Sequence, residues 1–192
     1  MYFLYVIFKP EKPIKNKIYA DYKSQIQQAL QYCNQHNLNN HFFFLVDLSV
    51  HSGKKRMHLI DFNKRLIRSS YMVSHGCGSY FWNRCLTKTN ATVSNEPNSH
   101  CSSVGKYIIG EKGFSNWGIG IKYLLHGKEA TNSNALKRAV VLHSWGEVPE
   151  NEVYPDGTPE GWGCPAVSNI SMKEISKRID ASGKRILLWV IK

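Results

Sequence analysis

The sequence lacks the features that mark membrane-spanning, metal-binding and repetitive proteins. No apolar run approaches the length of about 20 residues that a transmembrane helix requires, and no internal repeat or low-complexity tract is present. There is no CxxC pair, and the Cys and His spacings fit no zinc finger or ribbon, so we expect no metal and no other cofactor. The chain of 192 residues, 42% of them hydrophobic, suits one domain with a substantial core and a small appendage.

Acidic residues are scarce. The chain has 14 Asp and Glu against 25 Lys and Arg, which gives a formal net charge of +11. A basic surface favours anionic surroundings such as nucleic acid, membrane headgroups or an acidic cell-envelope polymer. The basic residues are scattered, however, and no nucleic-acid motif is present. We therefore predict no nucleic-acid partner.

Cysteine is also uncommon, and its count is odd. With five cysteines, at least one thiol is unpaired within the chain. Cys77, Cys85 and Cys101 lie in a Gly/Ser/Asn-rich region, where we expect a disulfide among them if the compartment is oxidising. Cys33 lies on the apolar face of a predicted helix and is expected in the core.

Residues 1–40 are predicted to form an N-terminal segment separate from a domain over residues 41–192. Residues 1–8 are apolar and fit either a first strand or the remnant of an export segment. Residues 9–17 are a Lys/Pro-rich linker. Residues 18–35 are predicted to form an amphipathic helix, because apolar residues recur at spacings of three and four: Ile18, Tyr22, Ile26, Leu30 and Cys33.

The rest of the chain is predicted to be mainly β, with one late helix. Short apolar runs bounded by turn residues indicate strands within residues 41–48, 56–62, 65–74, 104–111, 118–125, 139–143 and 185–191. Residues 75–101 and 146–163 are predicted to be long loops. Ser171 and Glu174 have the spacing of a capping box at the start of the late helix, which Gly183 would end.

Two short segments have the residues of a cysteine-based active site. His143 and Ser144 end an apolar run, and Cys164 lies in a glycine-flanked turn. An imidazole beside a thiol raises the fraction of thiolate, so Cys164 is the predicted nucleophile and His143 its base. Ser144, or a nearby carbonyl, would accept a hydrogen bond from the other ring nitrogen and fix the tautomer. The alternative is that the cysteine and histidine are ordinary core residues.

Other residues complete the predicted site. The backbone N–H groups of Gly163, Cys164 and Trp162 are expected to bind an oxyanion. Cys77 is a second, less favoured candidate nucleophile because a disulfide would consume its thiol. The predicted walls of the substrate pocket are His75, Gly76, Ser102 and Ser103.

These motifs together resemble the murein L,D-transpeptidase catalytic domain, the YkuD-type family. The resemblance covers residues 42–192 and follows, in order, residues 46–49, 57–62, 65–76 with its His-Gly pair, 94–99, 102–107, 132–135, 138–143 and 162–167. The chain departs from the family where a hydroxyl residue and often an arginine precede the cysteine. Here Gly161 and Glu160 occupy those positions, so a basic group that would meet a substrate carboxylate is missing there.

The resemblance implies an L,D-transpeptidase-like β-sandwich with an N-terminal helix and one late helix. It also implies a periplasmic, envelope or secreted location and peptidoglycan stem peptides as substrate. Cys164 would form a thioester, and the acceptor would be a second stem, a lipoprotein amine, a free D-amino acid or water, the last making the protein an L,D-carboxypeptidase. The alternatives are another cysteine peptidase or amidase, a non-catalytic peptidoglycan-binding module, and a secreted effector that damages a competitor's wall.

Overall fold

A computed structural model describes residues 21–192 of the chain. It contains two α-helices and eight strands. The helices are α1 (Lys23–Gln35) and α2 (Asn169–Asp180), and a short 3-10 helix covers Ala130–Asn132. The strands are β1 (Phe42–Asp47), β2 (Met57–Asp61), β3 (Leu66–Tyr71), β4 (Gly105–Phe114), β5 (Ile121–Gly127), β6 (Val141–Ser144), β7 (Ala166–Val167) and β8 (Leu187–Ile191).

All eight strands belong to one sheet, in the order β3-β2-β1-β8-β4-β5-β6-β7. The β1–β8 and β6–β7 pairs are parallel and the other pairs are antiparallel. The two edges of the sheet meet, because the Ser74 N–H, just after β3, donates to the Ala166 carbonyl of β7 at 2.8 Å. Gly76 and Gly161 extend this contact as an isolated bridge. The mainly β prediction, with one early and one late helix, is therefore confirmed.

The curled sheet encloses the main hydrophobic core, to which every strand contributes. Strands β1 and β8 are buried on both faces. Phe44 and Val46 enter the main core, whereas Phe43 and Leu45 pack with α1 in a second cluster on the other face. A strand buried on both faces has a continuous apolar run instead of an alternating one. This explains the dense sequence of residues 42–48.

The predicted N-terminal helix is present in the part of the chain that the structure describes. Helix α1 begins at Lys23, and Ile26 and Cys33 are buried on the face that the spacing indicated. Cys33 is a core residue, and its burial raises the pKa of the thiol to about 12. The predicted strand at residues 1–8, the linker at 9–17 and Ile18 lie outside the described residues.

The capping box predicted for the late helix is wrong. The N-cap of α2 is Ser168, whose side chain accepts from the Ser171 N–H. Ser171 is inside the first turn and its hydroxyl donates to Glu150. Glu174 accepts from the Tyr71 hydroxyl at 3.0 Å and so joins the helix to β3. The helix ends at Asp180, three residues before Gly183. Neither helix of the described part of the chain is long and apolar enough to pass through a membrane.

Candidate active site

Cys164 and His143 line the same cavity. His143 is on β6 and is paired in register with Ala166 of β7, so the two side chains lie on one face of the sheet. Cys164 precedes Ala166 by two residues and faces the same side. The cavity has a volume of about 110 Å³ and is lined by Ser74, Trp82, Trp117, His143, Trp145, Gly161, Trp162, Cys164 and Ala166. The pair that the sequence analysis placed together is thus brought to one cavity.

The His143 ring has a defined orientation. Its Nδ1 lies 3.0 Å from the Ser144 carbonyl oxygen. Because a carbonyl only accepts hydrogen bonds, Nδ1 carries the proton and the neutral ring has its lone pair on Nε2. Burial lowers the pKa of His143, the bond to Ser144 opposes this, and the charge of Lys122 lowers it further. A neutral imidazole with a basic Nε2 is the form a general base requires.

Ser144 contributes through its backbone, while its side chain has another partner. The Ser144 side chain is buried, and its Oγ accepts from the Ile119 N–H at 2.9 Å. This bond ties β6 to the turn that carries Trp117. The structure therefore places Ser144 beside the histidine as the predicted carbonyl partner.

The Cys164 thiol lies beside Val141 of β6, two residues before the first β6–β7 pair along the chain. Its Sγ accepts from the Val141 N–H at 3.4 Å and lies 3.7 Å from the Ala139 carbonyl. Burial raises the pKa of Cys164, while the Val141 N–H and the charges of Arg138 and Lys122 act in the opposite direction. Desolvation is the largest effect, so the resting thiol is neutral at neutral pH.

The turn before the cysteine exposes backbone donors. Within the described residues, the N–H groups of Trp162, Gly163 and Cys164 have no hydrogen-bond acceptor. Gly163 has a φ of 102°, and a Cβ there would lie 2.3 Å from the Cys101 carbonyl oxygen. Only glycine fits this backbone without displacement. Three unpaired amides beside a thiol are what an oxyanion hole requires.

The four residues predicted as pocket walls are elsewhere. Ser102 is buried; its Oγ accepts from the Gly76 N–H at 3.1 Å and donates to the Gly163 carbonyl at 3.2 Å. The Ser103 hydroxyl accepts from Arg138 at 2.9 Å. None of His75, Gly76, Ser102 and Ser103 lines the cavity that holds Cys164. Ser102 and Gly76 support the cysteine turn from behind.

Ser74 takes the position that the sequence analysis gave to His75. Neighbouring residues of an extended chain face opposite sides, so Ser74 lines the cavity and His75 points away from it. The Ser74 side chain is buried, and its Oγ has no hydrogen-bond partner among the described residues. The two-residue period of the preceding strand was the signal that would have found it.

His75 belongs to a buried polar chain that supports the loops around the site. Arg56 Nη2 donates to His75 Nδ1 at 2.7 Å, and His75 Nε2 donates to the Thr87 hydroxyl at 2.7 Å. Thr87 donates to Glu160 through both its N–H and its hydroxyl, at 2.6 and 2.9 Å. Burial and the Arg56 charge lower the pKa of His75 to about 3, so the ring is neutral. Glu160 thus faces away from the cavity.

Tryptophan forms most of the cavity mouth, which the sequence analysis only partly foresaw. Trp82 stacks on Trp145 with ring centroids 5.5 Å apart, and lies 6.0 Å from Trp117 and 6.5 Å from Trp162. Trp162 is 63% exposed, Trp117 47% and Trp82 43%. Trp145 is buried and also lines the cavity. These rings come from three separate loops, so no local pattern in the sequence predicts their meeting.

All five cysteines, each within the described residues, are free thiols. The expected disulfide among Cys77, Cys85 and Cys101 is therefore absent from this structure. Cys77 is buried with Sγ 3.8 Å from the Gly78 carbonyl, and it is not among the residues that line the cavity. Residues 21–192 contain no cluster of three or more His, Cys, Asp or Glu side chains that would hold a metal ion.

A thiol and a neutral imidazole that share a cavity with unpaired amides are the groups that cysteine acyltransferases and peptidases use. The profile of the L,D-transpeptidase catalytic domain matches residues 14–189. The chain therefore belongs to the L,D-transpeptidase catalytic domain family.

Similar solved structures include the helical cell shape determining protein Pgp2 from Campylobacter jejuni, with 12% identity and a TM-score of 0.47, covering 86% of this chain and 55% of that one. A mutant of the same protein has 11% identity and a TM-score of 0.49, with 86% and 54% covered. An L,D-transpeptidase from Xylanimonas cellulosilytica has 11% identity and a TM-score of 0.43, with 83% and 68% covered. The chain spans just over half the length of the two Pgp2 chains. No curated protein matches the sequence.

Proposed function

We propose that this protein is a cysteine acyltransferase of the L,D-transpeptidase type, acting on peptidoglycan stem peptides in the cell envelope. The observation that carries the proposal is the shared cavity of Cys164 and His143, with the basic Nε2 of the imidazole and the free amides of the cysteine turn. The formal charge of +11 is consistent with work on an acidic envelope polymer.

Acylation begins from a neutral thiol and a neutral imidazole. Since burial raises the pKa of Cys164 and lowers that of His143, an ion pair is not the resting state. As Sγ attacks the carbonyl carbon at the L-centre of the diamino acid, His143 Nε2 takes the thiol proton. The oxyanion develops against the N–H groups of Trp162, Gly163 and Cys164, of which each donor typically contributes about 10²–10³ in rate.

Collapse of the tetrahedral adduct completes the first half-reaction. The carbon–nitrogen bond breaks, the imidazolium returns its proton to the departing amine of the terminal D-alanine, and a thioester remains on Cys164. An amine or water then attacks the thioester and gives its proton to His143. The same imidazole protonates Sγ as the carbon–sulfur bond breaks, which restores the thiol.

The residues that line the cavity suit a peptide substrate better than a small polar molecule. Three exposed tryptophans offer flat apolar surface for the stem, and the unpaired Ser74 hydroxyl offers one hydrogen bond. The acceptor is a second stem amine, a lipoprotein amine, a free D-amino acid or water. Glu160, which stands where relatives carry a basic residue, is held by Thr87 and does not contact the substrate.

The test is the intact mass of the protein after incubation with a tetrapeptide muropeptide. We expect a transient acyl adduct that maps to Cys164 and the release of D-alanine, with neither seen in Cys164→Ala. Cys85→Ala is the matched control, because Cys85 is a half-buried free thiol outside the cavity. A carbapenem should form a stable adduct at the same sulfur.

Other outcomes would separate the alternatives. Undiminished release of D-alanine by Cys164→Ala would exclude Cys164 as nucleophile. Cleavage of ordinary L-peptides in preference to the stem would indicate a cysteine peptidase. Binding to isolated sacculi with no adduct at any substrate concentration would indicate a non-catalytic module.

A further inference from the structure

A row of side chains crosses four strands at the level of the catalytic histidine. Gly113 of β4 pairs with Lys122 of β5, Lys122 pairs with His143 of β6, and His143 pairs with Ala166 of β7. Directly paired residues lie on the same face of a sheet. Lys122 is therefore the immediate neighbour of His143, on the face that carries the cavity and opposite the main core.

Lys122 has room there because its other neighbour has no side chain. The Lys122 Cε lies 3.6 Å from the position that a Cβ of Gly113 would take, so the methylene stem rests on bare backbone. The residue is half-buried, and within the described residues it forms no ion pair. Lys106 and Lys112 of β4, by contrast, are paired with Glu129 and Asp180.

Lys122 is also a cation near the proposed nucleophile that forms no ion pair within the described residues. The charges felt at Cys164 are those of Arg138 and Lys122. Arg138 already donates to the carbonyls of Ser94 and Cys101 and to the hydroxyls of Ser99 and Ser103. No acidic side chain lines the cavity. Lys122 is not among the residues that line the cavity, but its flexible stem leaves the ammonium free to turn toward an anion beside its strand neighbour His143.

We propose that Lys122 binds the free α-carboxylate of the residue that leaves the stem peptide. This inference rests on the proposed function, in which a C-terminal D-amino acid departs from the thioester carbon. Its carboxylate is one residue beyond the scissile bond, on the leaving-group side where His143 delivers a proton. The ammonium then restricts the site to the last peptide bond of a chain and supplies the basic group that position 160 lacks. A free D-amino acid acting as acceptor would place its carboxylate on the same ammonium.

The experiment compares two substrates and three proteins. The substrates are a tetrapeptide stem with a free C-terminal carboxylate and the same peptide with a C-terminal carboxamide. The proteins are the wild type, Lys122→Met and Lys122→Arg, each checked for folding by thermal unfolding. A charge-assisted hydrogen bond contributes about 10- to 100-fold in binding. On the pH plateau above the His143 limb, we expect Lys122→Met to lower kcat/KM for the carboxylate by that factor, mainly through KM, and to affect the carboxamide far less.

Lys122→Arg should keep most of the preference for the carboxylate, because the charge remains. Equal loss on both substrates in Lys122→Met would mean a merely structural role and would overturn the proposal, as would an unchanged preference. If the wild type turns over neither peptide and forms no adduct on Cys164, the proposed function itself fails and the Lys122 proposal fails with it. Turnover by the wild type with no effect of Lys122→Met defeats the Lys122 proposal alone.

Discussion

Replacing Gly163 by alanine should remove most of the activity while leaving the protein folded. The backbone at this position has a φ of 102°, which costs an L-residue on the order of 1–3 kcal/mol. The added Cβ would also lie 2.3 Å from the Cys101 carbonyl oxygen, and backbone atoms cannot yield as a flexible side chain can. The turn must therefore move, together with the amides that we propose bind the oxyanion.

The size of the effect follows from this displacement. A shift of about 1 Å in catalytic geometry costs about 10²-fold in rate, and loss of one oxyanion donor costs about 10²–10³-fold. We expect kcat on a tetrapeptide stem to fall about 10²–10³-fold in Gly163→Ala, and the Tm to fall by about 2–12 °C.

Gly183→Ala is the matched control. Among residues 21–192, no atom outside its chain neighbours lies within 4 Å of the position its Cβ would occupy, so neither kcat nor Tm should change appreciably. Both variants are measured by stem-peptide turnover and by thermal unfolding. If Gly163→Ala turned over the stem at the wild-type rate, the oxyanion assignment to this turn would be refuted.

Three further predictions concern charge and protonation. The kcat/KM of the wild type should rise with pH, and the midpoint of this rise should lie below 6.5, because burial lowers the pKa of His143 and the base must be neutral. A midpoint above the ordinary pKa of histidine would contradict this. Lys122→Met should move that midpoint to higher pH, since loss of the positive charge raises the pKa of His143; the same pH profile measures it, and a shift downward would refute the reasoning. Arg56→Met should lower the free energy of unfolding by about 3–5 kcal/mol, because the buried guanidinium donates to the Val50 and Val73 carbonyls and to His75 and balances the nearby charges of Asp47 and Glu160. Urea unfolding measures this loss, and Arg68→Met, which breaks a more exposed ion pair with Asp61, should lose no more than about 1 kcal/mol; equal losses would show that the buried charge is not special.

The two residues of the proposed catalytic pair could be picked out because each lies at a recognisable local pattern. His143 lies near the end of an apolar strand. Cys164 lies in a turn where Gly163 is required by a positive φ and by the closeness of the Cys101 carbonyl. The strand pattern also indicated most of the sheet. The contact of the two side chains with one cavity depends on the β6–β7 pairing, which the sequence did not reveal.

The pocket wall was not predictable, for two physical reasons. First, a polar residue at the end of a strand can face a cavity or a buried partner, and only the register decides; Ser74 and His75 differ by one position. Second, the walls come from loops that are far apart in the chain. Trp82, Trp117 and Trp145 meet only after the sheet has curled.

The capping error has a similar origin. Ser168 and Ser171 are both three residues from a polar side chain, and local spacing does not distinguish them. Glu174 is drawn to β3 by the Tyr71 hydroxyl, a partner about 100 residues away, so tertiary contacts override the local motif.

Strand β8 follows the other seven along the chain yet lies between β1 and β4. The sheet therefore has an open centre until residues 187–191 are in place, and before then its two halves meet at their outer edges, near Ser74 and Ala166. Under the proposed function, enzymatic activity should therefore appear in one step when residues 187–191 dock between β1 and β4, and not gradually as the chain lengthens. Under the proposed function, a chain that has not yet placed residues 187–191 would therefore not attack the peptide bonds of its substrate.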